Sequence, residues 1–159
     1  MKKETKTNAM RMLERMDISY EHREYECDEF TDGSAVADLL GLDHDLVFKT
    51  LVAVGTSGQH YVFVIPVDAS LDFKKCASSV GEKAVQLIHQ KELLPLTGYV
   101  RGGCTAVGMK KSFPTRIDET ATLFDRIYVS AGRLGCQLLL APEDLRRACD
   151  GAFDDLTTL

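Results

Sequence analysis

The sequence predicts an α+β fold built on a mixed, largely antiparallel β-sheet. Two apolar runs at 47–54 and 60–67 are separated by Gly55-Thr56-Ser57-Gly58, a pattern typical of a β-hairpin. Helical and strand-like segments are mixed through short connections and form no regular βαβ repeat, which disfavours a doubly wound parallel sheet. The 159 residues are 45% hydrophobic, so we expect one domain, 1–159, with a sizeable core.

Capping residues and hydrophobic periodicity define the elements of the first half of the chain. Thr, Asn, Ser and Asp accept hydrogen bonds from the free N–H groups of a helix start, and glycine often ends a helix. The predicted elements are a helix beginning at Thr7 or Asn8, a strand at Ile18–Tyr25, an acidic loop at 26–33, a helix from Ser34 to Gly41, the hairpin, and a helix from Asp72 to Gly81.

The second half contains shorter predicted elements around a glycine-rich loop. Proline favours the first turn of a helix and disfavours its interior, which sets two of the boundaries. The predicted elements are a helix over 89–94 ending before Pro95, the loop, strands at Thr115–Asp118, Arg126–Ser130 and Gln137–Leu140, a helix over Glu143–Cys149 opened by Pro142, and an acidic tail, 150–159, that we expect to fray.

Composition excludes several classes of protein. No apolar run approaches the ~20 residues that cross a bilayer, and the charged N-terminus leads into no apolar signal region, so we expect a cytoplasmic protein without a membrane partner. The five cysteines form no C-x-x-C and the four histidines form no H-E-x-x-H, so we expect no metal and no cofactor. A net charge of -5 argues against a protein coated for DNA binding.

The most informative segment is the loop at 97–111, Thr-Gly-Tyr-Val-Arg-Gly-Gly-Cys-Thr-Ala-Val-Gly-Met-Lys-Lys. Glycine allows the backbone to approach a ligand and turn its N–H groups toward it. Residues 97–116 carry Arg101, Lys110, Lys111 and Arg116, which is a charge of +4, with no carboxylate. A compact cationic loop on an acidic protein predicts one site for an anionic ligand.

Two motif interpretations of this loop are weak. Gly103 and Gly108 have the glycine spacing of a phosphate-binding Walker A loop, but Met109 stands where that motif requires lysine. Lys110-Lys111-Ser112 is therefore out of register, and no strand–helix unit surrounds the loop. Arg101-Gly102-Gly103 resembles a single RGG box, and one copy in a structured segment indicates little about RNA binding.

Lys49 has two possible roles. It interrupts the apolar run Val47-Phe48-Lys49-Thr50-Leu51-Val52, where a buried ammonium is costly unless it reaches water, a partner or a ligand. It is either a strand-end lysine extending to solvent or a cation lining a pocket. Lys74 and Lys75, on a predicted helix, fit a solvated face.

Two further side chains also have alternative interpretations. Cys104 is either a nucleophile or a small buried hydrophobe, and no histidine lies near it in sequence to serve as its base. Tyr20 is either a strand aromatic with a satisfied hydroxyl or a contact to a ligand.

The order and spacing of four motifs together resemble the YbaK/EbsC family. These motifs are Val47-Phe48-Lys49-Thr50-Leu51-Val52, Thr97-Gly98-Tyr99-Val100-Arg101-Gly102-Gly103-Cys104, Gly108-Met109-Lys110-Lys111 and Val129-Ser130-Ala131-Gly132. The similarity extends from Lys6 to Leu145. The family consists of free-standing aminoacyl-tRNA deacylases related to the editing domain of prolyl-tRNA synthetase, and the branch acting on Cys-tRNA(Pro) is the most similar.

The resemblance implies a curved, barrel-like mixed sheet surrounded by helices, with a pocket beside the glycine loop. It implies that Lys49 holds the terminal adenosine or its phosphate, and that Gly102 and Gly103 offer N–H groups to the ester carbonyl. The remaining implied substrate-binding residues are Tyr20, Phe48, Arg101, Lys110, Ser130, Ala131, Gly132 and Gln137. Thr105-Ala106 replaces the Ser-Pro that is common in the family, and the lost proline affects loop geometry and selectivity.

The resulting expectation is a trans-editing enzyme that removes cysteine from tRNA(Pro), with the substrate thiol as nucleophile. A synthetase cannot reject near-isosteres by size alone, so a second deacylating site is needed. The partners implied are the tRNA(Pro) acceptor end and prolyl-tRNA synthetase. Two alternatives stay open: a deacylase for alanine or another small residue, and a weakly catalytic module that binds tRNA or a synthetase.

Overall fold

A computed structural model describes residues 6–27 and 31–158. Within these ranges the chain forms five α-helices and eight β-strands. The helices are α1 (Asn8–Arg15), α2 (Gly33–Leu40), α3 (Phe73–Val80), α4 (Gln90–Thr97) and α5 (Pro142–Ala148). The strands are β1 (Glu21–Glu24), β2 (Phe48–Gly55), β3 (His60–Pro66), β4 (Val85–Leu87), β5 (Thr115–Asp118), β6 (Ile127–Ser130), β7 (Cys136–Leu140) and β8 (Ala152–Asp154).

The strands form two open sheets, which confirms the α+β class and the mixed, largely antiparallel pairing. The larger sheet has the order β4-β2-β3-β5-β8, and the smaller has the order β1-β7-β6. The predicted hairpin is β2–β3, and β3–β5 and β5–β8 are the parallel pairs. A single bridge between Val47 and Tyr128 links the sheets. No closed sheet is found among the described residues, so the barrel-like part of the expectation is not confirmed.

The central strand β3 is buried on both faces, and its side chains alternate between two apolar clusters. Val62 and Val64 point into the main core, which includes α1 and the smaller sheet, whereas Phe63 and Ile65 point toward α3. All four side chains are fully buried. This double coverage explains why the hairpin sequence is a continuous apolar run rather than an alternating one.

The N-cap of the second helix lies two residues before the predicted Ser34. Asp32 is the N-cap, and its carboxylate accepts from the Ala35 N–H at 2.8 Å. The Ser34 hydroxyl donates to Asp68 instead. The rest of the predicted loop before this helix includes residues 28–30, which lie outside the described residues.

The carboxyl-terminal segment is ordered through Thr158, which corrects the expectation of a frayed tail. Ala152–Asp154 pairs in parallel with β5, and Leu156 is 0% exposed. Buried Asp118 accepts from the Leu156 N–H at 2.9 Å, and the Leu156 carbonyl accepts from Asp72 N–H at 2.8 Å. The expectation was based on the acidic side chains of the tail, whereas Leu156 buries its apolar side chain in the core.

The region between residues 85 and 97 also differs from the prediction. Strand β4 pairs with the end of β2 and was not predicted. Helix α4 continues past Pro95 to Thr97, whose hydroxyl donates to the Leu93 carbonyl at 2.7 Å. Pro95 removes one backbone donor, and the helix ends within a turn of it at Gly98 in the left-handed conformation (φ +83°).

Candidate active site

A cleft of about 610 Å³ opens between the start of α2, strand β2, the segment joining β4 to α4, and the glycine-rich loop. Its floor comes from the β6 and β7 strands of the smaller sheet. The cleft therefore lies where the two sheets meet, beside the Val47–Tyr128 bridge. A concave space of this size with apolar walls and a few polar groups is typical of a small-molecule site.

Six of the eleven candidate site residues line this cleft. They are Phe48, Lys49, Arg101, Gly102, Ser130 and Gln137. The other five lie outside its lining, and these are Tyr20, Gly103, Lys110, Ala131 and Gly132. The structure thus brings together the strand lysine, the start of the glycine loop and the polar floor.

Lys49 is a partly buried cation without a partner among the described residues. It lies on β2 opposite Ile65, and no described side chain or carbonyl pairs with its ammonium. Burial lowers the pKa of Lys49, while the nearby charges of Asp68 and Asp32 oppose that effect. An ammonium that has lost some hydration and has no protein partner is suited to a ligand anion.

The glycine loop is fixed at its base. The Tyr99 hydroxyl donates to the Val107 carbonyl at 2.7 Å, and the Lys110 N–H donates to the Thr97 carbonyl at 2.8 Å. These bonds join the two ends of the loop. A preformed loop can hold N–H groups in place with little ordering cost when a ligand binds.

The two glycines of Arg101-Gly102-Gly103 differ in their contacts. Gly102 has φ +85°, and its N–H has no partner among the described residues. The Gly103 N–H donates to the Val100 carbonyl at 3.0 Å. A Cβ on Gly103 would lie 3.0 Å from the Arg133 backbone. Gly103 therefore allows close packing, and its N–H is used within the loop rather than toward an ester.

Ser130 and Gln137 form the polar floor of the cleft. They face each other across β6 and β7. Gln137 is 6% exposed, and its Oε1 has no hydrogen-bond partner among the described residues. The Ser130 hydroxyl accepts from the Gly132 N–H at 3.2 Å. A buried acceptor without a donor is costly, so the Gln137 oxygen is suited to a donor that a ligand supplies.

Cys104 lines the cleft as a protonated thiol. It is 8% exposed, and burial raises its pKa to about 12. No histidine of the described residues lines the cleft beside it. A nucleophilic cysteine needs a lowered pKa or an adjacent base, and Cys104 has neither.

The candidate residues outside the lining support helix α1 and the loop. The Tyr20 hydroxyl donates to Glu14 Oε2 at 2.9 Å, and burial together with this bond raises its pKa to about 12. The Ala131 carbonyl accepts from the Thr7 hydroxyl at 2.5 Å. Gly132 has φ +103°, and a Cβ there would lie 2.9 Å from the Tyr99 ring. Lys110 is exposed beyond the cleft.

One wall of the cleft was missed from the sequence. Residues 31–34, at the start of α2, line it together with Gln90 of α4. Gln90 Oε1 accepts from Arg101 Nη1 at 3.2 Å and so connects α4 with the loop. The polar capping sequence at the start of α2 could have predicted this wall, because the N-terminus of a helix often borders a ligand site.

Comparison with known proteins decides the family. Residues 29–148 match the model of the aminoacyl-tRNA editing domain. The chain belongs to this family. The family resemblance inferred from the four sequence motifs is thereby confirmed.

A curated relative agrees with this assignment, and two solved structures share the fold. The chain is 44% identical over 158 residues to the Enterococcus faecalis protein named "Putative Cys-tRNA(Pro)/Cys-tRNA(Cys) deacylase EbsC", covering 99% of this chain and 96% of that protein. The fold is similar to a crystal structure titled "a putative trans-editing enzyme for prolyl tRNA synthetase" (TM-score 0.82, 22% identity, 96% of both chains). It is also similar to the hypothetical protein APE2540 (TM-score 0.86, 23% identity, 96% of this chain and all of that one).

Residues 6–27 and 31–158 contain neither a membrane-spanning helix nor a cluster of metal-ligating side chains. No helix there has the length and apolar character needed to cross a bilayer. No group of three or more His, Cys, Asp or Glu side chains there is arranged to hold a metal ion.

Proposed function

We propose that the protein deacylates Cys-tRNA(Pro) in the cleft beside Lys49. The observation that carries the proposal is that one cleft of an editing-domain protein contains two polar groups without a protein partner among the described residues. These are the Lys49 ammonium and the buried acceptor Gln137 Oε1. The 44% identity to EbsC supports cysteine as the amino acid removed. An enzyme acting on charged tRNA is expected in the cytoplasm.

In this proposal each end of the substrate meets matching chemistry. Lys49 binds the terminal adenosine or its phosphate, and Arg101 and Lys110 attract the acceptor end of the tRNA. The Gly102 N–H donates to the ester carbonyl oxygen as negative charge develops on it. Phe48, Ser130 and Gln137 enclose the aminoacyl group, with the Gln137 oxygen accepting from it.

The substrate thiol is the proposed nucleophile. The cysteinyl thiolate attacks its own ester carbonyl, a C–S bond forms, and the C–O bond to the ribose breaks. The thiol proton ends on the released 3′ oxygen, leaving free tRNA and a small thiolactone. The protonated state of Cys104 supports this mechanism, because the chain then needs to supply only positioning and an oxyanion donor.

A panel of mischarged tRNAs tests the proposal. We expect rapid release of cysteine from Cys-tRNA(Pro), and little change from buffer for Ser-tRNA(Pro), since a hydroxyl ionises far less readily than a thiol. S-methylcysteine esterified to the same tRNA has no free thiol, so we expect this ester to bind and to stay intact. Faster release of alanine than of cysteine would instead indicate a deacylase for a different small residue. Binding without release of any amino acid would indicate a binding module, which could act with prolyl-tRNA synthetase.

A further inference from the structure

A chain of hydrogen bonds beside Lys49 holds one carboxylate by both of its oxygens. The Ser34 hydroxyl donates to Asp68 Oδ1, and His44 Nδ1 lies 2.8 Å from Asp68 Oδ2. The other imidazole nitrogen, His44 Nε2, lies 2.7 Å from Asp38 Oδ1. Because both ring nitrogens face carboxylate oxygens, the doubly protonated imidazolium satisfies both contacts.

The position of Asp68 is set by the sheet that carries Lys49. The Val67 N–H donates to the Val47 carbonyl at 2.9 Å, which fixes the chain just before Asp68 beside the start of β2. On the other side, Ser34 belongs to the α2 wall of the cleft. Asp68 therefore lies between the cleft wall and the strand of the lysine, near enough for its charge to act on the ammonium.

We propose that Asp68 is a positioning residue for Lys49, and that Ser34 and His44 hold its carboxylate close to the ammonium without letting the two pair. The effect on turnover rests on the proposed function, whereas the effect on Lys49 itself does not. Asp68 and Lys49 form no ion pair in the structure, although each shifts the other's pKa toward its charged form.

The arrangement resolves two opposing requirements on a cleft lysine. Partial burial favours the neutral amine and lowers the pKa of Lys49, and a nearby counter-charge offsets part of that effect. A direct ion pair would occupy its N–H donors and compete with a substrate anion. A carboxylate held by two other donors supplies the charge and leaves the donors free. Asp32, before α2, adds a second negative charge, and Arg101 faces the cleft from the loop.

Titration of Lys49 in the intact, substrate-free protein tests the proposal. The signal of lysine labelled with ¹³C at Cε is assigned by its loss in Lys49→Arg. Asp68→Asn should lower the pKa of Lys49, because the counter-charge is removed. His44→Phe, which keeps the ring but removes both contacts, should raise it, because the released carboxylate can pair with the ammonium. Asp45→Asn removes an exposed charge next to His44 and should change nothing.

Steady-state kinetics supply the second measurement. His44→Phe should raise KM for Cys-tRNA(Pro) by up to about fivefold with kcat unchanged. The released Asp68 would compete with the substrate for Lys49, and a surface ion pair is strong enough for an effect of about this size. Adding Asp68→Asn to His44→Phe should restore KM near neutral pH. An unchanged Lys49 pKa in Asp68→Asn would show that Asp68 supplies no counter-charge. A lowered Lys49 pKa in His44→Phe would show that His44 does not keep Asp68 from pairing with the lysine. Failure of the wild-type protein to deacylate would refute the proposed function while leaving the titration result standing.

Discussion

Gln137 lies directly opposite Ser130 in the β6–β7 ladder, and its buried amide oxygen has no hydrogen-bond partner within the described residues. The Gln137 side chain also acts to lower the pKa of Tyr25, although burial has the larger effect and raises that pKa. Because Gln137 lines the cleft, this unsatisfied oxygen is available to a donor on a bound ligand.

Replacing Gln137 should therefore separate stability from function. Gln137→Met keeps the side-chain volume and removes the unsatisfied acceptor, whose burial costs ~1–3 kcal/mol. We expect a thermal midpoint equal to or above that of the wild type, together with a higher KM for Cys-tRNA(Pro). Gln86→Met, at an exposed position on β4, is the matched control and should leave KM unchanged. A destabilised variant with normal KM would show that Gln137 is only structural.

Lys49 should likewise be required for activity and not for folding. Its pKa is lowered in the fold, mainly by burial, so the unfolded chain binds this proton more readily and the charged lysine opposes folding at neutral pH. We expect Lys49→Ala to abolish deacylation while the thermal midpoint stays level or rises. Lys74→Ala, on the exposed face of α3, controls for the loss of one cation. A near-normal rate in Lys49→Ala would return Lys49 to the role of a solvent-seeking strand lysine.

The sequence was sufficient for the elements whose signals are local. Thr7 and Asp72 cap their helices, and the Gly55–Gly58 turn joins β2 to β3 as expected. It was insufficient where the partner is distant in sequence. The tail is held by Asp118, and Ser34 bonds to Asp68 instead of capping its own helix, so neither outcome is encoded near the residue concerned.

The candidate site shows the same division. Six of the eleven candidate residues, on β2, the loop, β6 and β7, converge on one cleft because strand pairing brings them together. The Tyr20 hydroxyl donates to Glu14 on α1 and lies outside the lining of the cleft. The proposed role of Asp68 depends on hydrogen bonds from Ser34 of α2 and from His44. A single aspartate after a strand does not predict these bonds from the sequence.

His44 should make the stability of the protein depend on pH. Its pKa is raised in the fold, first by the hydrogen bond with Asp38 and then by Asp68. The stabilisation is therefore fully present below the unfolded value of about 6.5 and is lost as pH rises through the raised value. Thermal midpoints of wild type and His44→Phe should differ most at about pH 4.5–6 and converge at alkaline pH, since Asp68 stays ionised across that range. The difference in thermal midpoint between wild type and Asp45→Asn should not change with pH in this way.

Alanine at the two loop glycines should act through different causes. Gly103→Ala places a Cβ 3.0 Å from the Arg133 backbone, so we expect a lower thermal midpoint along with lower activity. Gly102→Ala puts a side chain at φ +85°, which costs about 1–2 kcal/mol, and also crowds the only loop N–H that we assign to the ester. Its rate should fall further than that of Gly103→Ala at matched stability. Equal losses of rate and stability in both variants would contradict a specific role for Gly102.

Cys104 should be dispensable for chemistry although it lines the cleft. Burial keeps its pKa near 12, so almost none of it is thiolate at neutral pH, and the substrate thiol is the proposed nucleophile. We expect Cys104→Ala to retain most of its activity at a stability cost of about 1 kcal/mol. Cys76→Ala removes a buried cysteine on α3, outside the cleft, and should lose similar stability, which isolates the packing effect. If Cys104→Ala binds aminoacyl-tRNA normally yet is inert, or if mass spectrometry finds a cysteinyl adduct on Cys104, a covalent enzyme intermediate replaces the substrate-assisted mechanism. Retained activity together with loss of turnover on the S-methylated substrate assigns the nucleophile to the amino acid being removed.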